Sequence, residues 1–397
     1  MSDKKRKVPI TKPCFGEEET RAVREVLRSG WIVQGPQVLE FERLVAAYTG
    51  AQFAIAASSC TSALHLALLA AGIGPGDEVI VPSFTFIATA NAVEYTGARA
   101  VFCDIDLDTF NMDPGLMESK ITEKTRAIIP VHLFGLCADM ERIMEITERR
   151  GLLILEDAAC ALGARIGDRH AGTFGAAGSF SFHPRKSITT GEGGMITTNK
   201  EEVAAACRSL RDHGASKSDL ERHEKGGSLL PDYNIIGFNF RMTDIQGAIG
   251  VTQMARFSDI LRRRREGARN YNEILRHVSW LRTPPVPDGY MHSYQSYVCL
   301  IRKDAFGGSL EKANLFRNRL MAELEECGIA TRQGTHAVHT LGYYRDRYSI
   351  GENDCPRSLE ADRLSMTIPL FAQMTDEDRP YVAEKIVAIG ERLLCAE

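Results

Sequence analysis

The chain has 397 residues, 44% hydrophobic and 25% charged, with a formal net charge of −4. This is an ordinary composition for a soluble protein, and the length allows two domains and a large core. The slight acidity argues against a nucleic-acid or general membrane partner, and no run approaches the roughly 20 apolar residues of a membrane span.

The basic start, residues 1–7, lacks the apolar core of a signal peptide and reads as a solvated, frayed tail. Ten cysteines form no CxxC pair and show no metal-ligand spacing with the ten histidines, so no metal site is expected. Scattered single cysteines suit a reducing cytoplasm, the expected location.

Residues 16–29 set Glu17, Glu18 and Glu19 ahead of Val23, Val26 and Leu27, an acidic first turn on an amphipathic helix. Residues 30–36 interrupt it, and a helical pattern resumes over 37–49. A short strand at 53–56 runs through Ser58, Ser59, Cys60, Thr61 and Ser62 into a helix at 63–71. Small hydroxyl residues there can cap the helix, and its free N–H groups can also receive an anion. A turn at 74–77 precedes a strand at 78–82, and 83–91 leads into another helix. Strands at 98–103 and 127–131 alternate with helical patterns at 113–120 and 140–149. This alternation predicts a mostly parallel sheet with right-handed crossovers. No GxGxxG follows the first strand, so a nicotinamide site has no support.

An apolar run at 152–155 ends in Glu156 and Asp157, which places Asp157 at the carboxyl end of a strand, where open α/β sheets bind ligands. A strand at 179–182 is followed by His183, Pro184, Arg185 and Lys186, then by Gly191-Glu192-Gly193-Gly194 and a strand at 195–198. An acid at a strand end and a lysine on a glycine-rich loop are what pyridoxal 5′-phosphate (PLP) chemistry requires. The lysine holds the cofactor as a Schiff base, and the acid keeps the pyridine nitrogen protonated. Taken alone, the pair also fits a helix-capping aspartate and a surface lysine.

A helix at 201–212 is followed by a polar, weakly patterned stretch at 213–236 that suits a lid, an interface element or a disordered segment. A long helix is expected over 244–277 with a break near Ser258. Its Arg262, Arg263, Arg264 and Arg265 span a full turn, which fits a solvated face or partner contacts better than a nucleic-acid groove. A proline-rich linker at 284–287, a strand at 294–301 and a helix at 310–328 come next. A polar, histidine-bearing loop at 331–339 and a last helix at 376–395 complete the chain. The expected division is a flexible arm at 1–15, a large cofactor-binding domain at 16–255 and a small domain at 256–397.

Residues 155–159 (LEDAA), 172–175 (GTFG), 180–186 (FSFHPRK), 191–194 (GEGG) and 237–246 (GFNFRMTDIQ) occur in that order. Together they closely resemble the DegT-type PLP-dependent nucleotide-sugar aminotransferases, from about residue 9 to the end. The resemblance implies an α/β chain of PLP fold type I, aspartate-aminotransferase-like, with a mostly parallel central sheet and a smaller C-terminal α+β domain. It implies PLP carried on Lys186 with Asp157 at the pyridinium. The Cys60 backbone, Thr61 and Ser62 would hold the phosphate, Phe86 would cover the ring face, and Ser181 would also contact the cofactor. Asn239 would reach the phosphate of the partner subunit, making a homodimer with shared active sites. Two positions depart from the family pattern: Cys60 replaces a common glycine, and Cys160 a common glutamine near the cofactor hydroxyl. A thiol hydrogen-bonds weakly, so Cys160 also reads as a small packing residue.

On the substrate side the resemblance points to Trp31, which packing explains equally well, and to His183, for which a structural role competes. Arg222, His223, Lys225, Arg332, His336 and His339 are cations or donors in loops flanking the expected mouth, although solvation also accounts for them. The implied reaction moves an amino group from glutamate to a keto sugar on a nucleotide diphosphate, most often a 4-keto-6-deoxyhexose, in ping-pong order. This would serve amino-sugar or polysaccharide biosynthesis. One alternative is a PLP-dependent sugar dehydratase or lyase, but such relatives typically carry histidine in place of Lys186. The other is a non-catalytic PLP-binding regulatory protein, against which Asp157, Lys186, Ser181 and Asn239 together argue.

Overall fold

The structure, a computed structural model, describes residues 6–217 and 230–395. Its centre is a seven-stranded sheet built from β1 (Phe53–Ala57), β2 (Glu78–Pro82), β3 (Arg99–Cys103), β4 (Thr125–Ile128), β5 (Leu153–Asp157), β6 (Ala177–Ser181) and β7 (Gly194–Thr198). The spatial order is β1-β7-β6-β5-β4-β2-β3. The pairings from β6 through β3 are parallel, and β7 runs antiparallel to both its neighbours. The mostly parallel α/β sheet expected from the sequence is therefore present.

Successive residues of a strand point to opposite faces, and each face of this sheet has its own core. Ile55, Val79, Val81 and Leu155 enter one core with Leu64, Val93 and Val203 from helices Cys60–Ala70, Ala88–Tyr95 and Glu201–Arg211. Ala54 and Ala56 face Phe41 and Val45 of the helix Pro36–Thr49. Ile80, Ile128 and Ile154 face Ile143 and Ile146 of the helix Met140–Arg150. Each Val, Leu, Ile or Phe side chain among them contributes about 1.5–3 kcal/mol when fully buried.

The long helix Asp244–Leu275 runs unbroken for 32 residues, without the break expected near Ser258. It starts in a reciprocal cap: the Thr243 hydroxyl accepts from the Gln246 N–H at 3.3 Å, and Gln246 Oε1 accepts from the Thr243 N–H at 3.0 Å. At the same end the Asp244 carboxylate accepts from the N–H groups of Gly35, Gln37 and Val38, capping the helix Pro36–Thr49. The arginine turn is solvated only in part. Arg262 and Arg263 pair with Asp259 at the surface. Arg264 is buried and donates to the carbonyls of Tyr294, Gln295 and Leu370, and burial lowers its guanidinium to about 10. Arg265 donates to His292 and Gly163. This turn therefore fastens the helix to the C-terminal part of the chain, because a guanidinium can bridge several carbonyls that no hydrocarbon could satisfy.

The C-terminal part holds an antiparallel sheet of Leu281–Arg282, Tyr297–Ile301 and Ser365–Ile368. Helices Leu310–Glu326 and Asp378–Cys395 supply Phe316, Leu320, Val382 and Ile386 to its core with Trp280. The strand expected from residue 294 starts only at Tyr297, since Tyr294 takes a left-handed φ of 49°. Residues 8–15, expected to belong to a flexible arm, lie bonded against the C-terminal part. Val8 is buried and bonded to Gly328 and Ala330, Leu370 donates to Ile10, and Gln373 donates to Pro13. Ala215 and Tyr233 form an isolated antiparallel bridge. Among the described residues no helix is long and apolar enough to cross a membrane.

Candidate active site

The carboxyl ends of the parallel strands open into a cleft of about 660 Å³. Asp157, the last residue of β5, is buried in its floor. Its Oδ2 accepts from the Thr89 hydroxyl at 2.7 Å and its Oδ1 from the Ala159 N–H at 3.1 Å. Thr89 is in turn 3.1 Å from the Thr85 hydroxyl. The neighbouring Glu156 points to the other face and has a different task. It is fully buried and accepts from Gly172 N–H and Gly175 N–H, both at 2.6 Å, and from His132 at 2.8 Å. His132 Nδ1 accepts from the Ala138 N–H, which assigns the ring proton to Nε2, facing Glu156. One acid fixes the turn between β5 and β6, and the next faces the cleft.

Lys186 follows the β6 strand end, and its Nζ donates to Cys160 Sγ at 3.2 Å. Burial pulls its ammonium down, while the hydrogen bond to Cys160 and the Asp157 carboxylate pull it up, with a net upward shift. Burial, then the charge of Asp157, push the Cys60 thiol well up, so it stays protonated.

Cys60 and Thr61 open the helix Cys60–Ala70 at the cleft wall. The Ser59 hydroxyl caps the Ser62 N–H at 3.1 Å, which leaves the first two N–H groups of the helix facing the cleft. The helix start sits directly on β7. A Cβ added at Gly194 would lie 2.3 Å from the Ser59 carbonyl oxygen and 2.6 Å from the Cys60 nitrogen. The glycine word at 191–194 thus lets a helix N-terminus rest on the sheet beside Lys186. Phe86, 64% exposed, presents its ring to the same cleft.

These features fit PLP. A cradle of helix N–H groups suits a phosphate, and a buried, hydrogen-bonded carboxylate suits a pyridinium. A primary amine lies between them, and Phe86 offers a ring face. Thr61, Cys60, Asp157, Lys186 and Phe86 are the residues that could hold it.

Of the residues expected from the sequence, Cys60, Thr61, Phe86, Asp157, Cys160, Ser181, His183, Lys186, Arg332 and His336 line this cleft. Several do not. The Ser62 hydroxyl is turned back to Ser58 and Ser59 at 3.1 and 2.9 Å. Trp31 lies against Gly35 and donates to the Gln34 carbonyl at 3.2 Å. His339, expected on the substrate side, is fully buried: Nδ1 meets Ser83 Oγ at 2.5 Å and Nε2 meets the Glu352 carbonyl at 3.0 Å. With both nitrogens engaged inside the fold it serves structure, because the loop at 331–339 folds back onto the strand residues Phe84 and Thr85. Asn239 is exposed and lies outside its own chain's cleft. Arg222, His223 and Lys225 lie outside the described residues.

Sequence reasoning missed Thr89, Arg185, Glu192 and Gln295. Arg185 and Gln295 belong to one arrangement, since Gln295 Nε2 donates to the Arg185 carbonyl at 2.7 Å. Thr85 and Thr89, two hydroxyls flanking the start of the helix Ala88–Tyr95, were the available signal for Thr89. Nothing local marks Gln295, which arrives from the C-terminal part.

A family model described as the DegT/DnrJ/EryC1/StrS aminotransferase family matches residues 13–387. The spore coat polysaccharide biosynthesis protein SpsC of Bacillus subtilis (strain 168) is 39% identical over 380 residues, which is 96% of each chain. A Streptococcus pneumoniae protein assigned as a sugar aminotransferase, solved in its PMP form, superposes with a TM-score of 0.90. It is 30% identical, with 98% of this chain and 99% of that chain covered. Helicobacter pylori PseC, an aminotransferase involved in the biosynthesis of pseudoaminic acid, gives a TM-score of 0.89 at 26% identity, covering 98% and 100%.

Proposed function

The chain belongs to the DegT/DnrJ/EryC1/StrS aminotransferase family, and on that premise we propose that it transfers an amino group from glutamate to a keto carbon of a nucleotide-diphosphate sugar. It is a PLP-dependent sugar aminotransferase. The carrying observation for the substrate class is the cleft itself. From the Asp157–Lys186 floor it extends to a rim with Arg185, Arg332 and His336, and its volume of about 660 Å³ suits a cofactor plus a sizeable ligand. A nucleotide-linked sugar is anionic at its diphosphate and polar at its ring, which such a rim matches. The curated relative SpsC bears a polysaccharide-biosynthesis name, which agrees with a sugar product.

When bound, PLP supplies an electron sink that makes the proton on the donor's amino-bearing carbon removable. Everything else falls to this chain's residues. Lys186 would hold the cofactor covalently, and its free Nζ would be placed to carry protons between the reacting carbons. The Asp157 carboxylate holds the proton on the ring nitrogen, and Thr89 and Ala159 fix its orientation. The N–H groups of Cys60 and Thr61 would receive its phosphate, and Phe86 would offer a face to its ring. The nitrogen leaves glutamate, which departs as its ketoacid, and a second half-reaction delivers it to the sugar.

We assign Asn239 to the partner subunit's cofactor. It is exposed in a chain whose own cleft it does not line, and nearby Ile236 is 91% exposed. Sedimentation showing a fully active monomer would end that assignment.

The test of function is the acceptor half-reaction. Enzyme first loaded with the amino group of glutamate should be discharged by a nucleotide-linked 4-keto sugar and scarcely by pyruvate or oxaloacetate, with aminated sugar read by mass spectrometry. Efficient discharge by the small ketoacids, with every keto-sugar nucleotide inert, would overturn the substrate class and leave the PLP assignment standing.

A further inference from the structure

Two thiols of the cleft, Cys60 and Cys160, are directed differently. Cys60 Sγ turns to the sheet and donates to the Ser179 carbonyl at 3.6 Å. Cys160 Sγ turns to Lys186 and accepts from its Nζ at 3.2 Å. Both ends of this second contact are fixed through the backbone. Cys160 lies in the turn that leaves β5, where the Ala158 N–H donates to the Ser179 carbonyl at 2.9 Å and the Ala161 N–H to the Ala158 carbonyl at 2.8 Å. Ala158 and Ala161 are fully buried, and the Ser293 hydroxyl donates to the Cys160 carbonyl at 3.3 Å. On the other side, the Lys186 N–H donates to the His183 carbonyl at 2.8 Å. Next to the pair, Leu162, Ser187, Ile188 and Gln295 enclose about 10 Å³, the room of about one water.

We propose that Cys160 is a positioning residue for Lys186, its Sγ giving the free amine a fixed resting place on the cleft floor, on the reading of Lys186 as cofactor anchor and proton carrier. A lysine side chain turns about four bonds, and that freedom is lost each time the amine returns to one place. An acceptor mounted on a rigid turn narrows the positions the amine visits. The kind of acceptor matters as well. A carboxylate would hold the ammonium through its charge and make departure slow. A neutral thiol accepts weakly, so it orients the amine and still releases it. Cys160 therefore suits a group that must leave and come back in every cycle. A side chain that only fills space at this turn would not do so.

One readout needs no cofactor. In the full chain without PLP, formaldehyde and cyanoborohydride methylate neutral amines, and mass spectrometry follows the peptide bearing Lys186. Burial pulls the Lys186 ammonium down and the hydrogen bond to Cys160 pulls it up. Cys160→Ala removes the acceptor, so the amine is both more often neutral and more mobile. Lys186 should then be methylated about three- to tenfold faster, the range for one hydrogen bond. Cys160→Ser keeps an acceptor and should stay within about twofold of wild type. In the PLP-loaded enzyme at saturating glutamate, the alanine variant should run the glutamate half-reaction, followed by absorbance, about three- to tenfold more slowly. The half-saturating glutamate should change less than about twofold. Deuterium on the donor's amino-bearing carbon should slow the alanine variant more than wild type, because proton transfer by Lys186 becomes the slower step. Equal methylation of Lys186 in wild type and the alanine variant would overturn the proposal. A larger change in half-saturating glutamate than in rate would also overturn it and set Cys160 against the substrate. A lower melting temperature with equal losses in the serine and alanine variants would overturn it in favour of packing. If wild-type enzyme itself fails to react with glutamate, the donor reading fails instead, and methylation of Lys186 still decides the role of Cys160.

Discussion

The floor and the rim of the cleft are built on opposite plans. On the floor Asp157 is already held by Thr89 and Ala159, and Glu156 behind it by His132, Gly172 and Gly175. On the rim, Arg185 and Arg332 are anchored through their backbones, and among the described residues no carboxylate pairs with their guanidiniums. A group that must present one charge in one direction throughout a cycle gains from being held by neighbours in advance. A group that must accept and release an anion at every turn cannot carry a permanent partner. On the proposed reading, the difference separates residues that would hold a resident cofactor from residues that would meet transient substrates.

The comparison is tested hardest at the floor. Replacing Lys186 by alanine removes the covalent anchor and the proton carrier together. Turnover should fall at least about a thousandfold, ~4 kcal/mol of transition-state stabilisation, and borohydride should no longer fix cofactor to the protein. In wild-type enzyme the fixed cofactor should map to the peptide bearing Lys186, and its recovery on another lysine would break the assignment. Asp157→Asn keeps the shape and the Thr89 contact but removes the charge. Turnover should drop at least about a hundredfold, ~2.7 kcal/mol, with cofactor still partly bound. Near-normal turnover in that variant would mean the floor is scaffold alone.

Much of the floor was legible in the chain because its signals are local. Asp157 ends an apolar strand run, Lys186 precedes a glycine word, and Cys60 and Thr61 open a helix, so residue type and position carried the reading. The rim was legible only in fragments. Arg332 and His336 were picked from a polar loop for their charge, and the same criterion picked His339, which folds inward onto Ser83. Sequence alone does not show which way a loop side chain turns when a two-residue ladder, here His336–Ala337 with Phe84–Thr85, sets the orientation. Two residues give no periodicity to detect. The arginine turn at 262–265 failed in the same manner. Its charges suggested solvent, but tertiary placement gave Arg264 three buried carbonyls.

A smaller perturbation tests whether the phosphate cradle depends on close approach. Alanine at Gly194 would drive a methyl group to 2.3 Å from the Ser59 carbonyl oxygen, a backbone atom that cannot step aside like the end of a side chain. Overpacking of this kind costs about 1–3 kcal/mol. The expected result is a lower melting temperature, with an added loss of PLP affinity because the start of the helix Cys60–Ala70 is lifted off β7. A variant that binds PLP as tightly as wild type would show that the helix start tolerates displacement, and would remove the reason given for the glycine word.

The smallest expected effect distinguishes the frame behind the floor from the chemistry on it. His170 and His292 are buried, and each has a ring nitrogen committed as an acceptor: His170 Nε2 from the Gly163 N–H at 2.9 Å, and His292 Nδ1 from the Tyr294 N–H at 2.9 Å. Protonating either ring means breaking that bond and placing a charge in a buried site. Burial accordingly lowers His170 to about 4 and His292 to about 3. In the unfolded chain both titrate near 6.5. Between the folded and unfolded values the unfolded state binds more protons, so stability is full above about 6.5 and falls as the pH drops below it. From pH 7 to pH 6 the two rings together should cost about 1.4 kcal/mol, read as a shift in the urea midpoint. Replacing one ring with a side chain that does not titrate should shrink the pH dependence by about half, even where the variant is less stable overall. A midpoint that holds steady between pH 7 and 6 would mean the rings reach protons in the folded state, and the frame would then be as open to solvent as the rim.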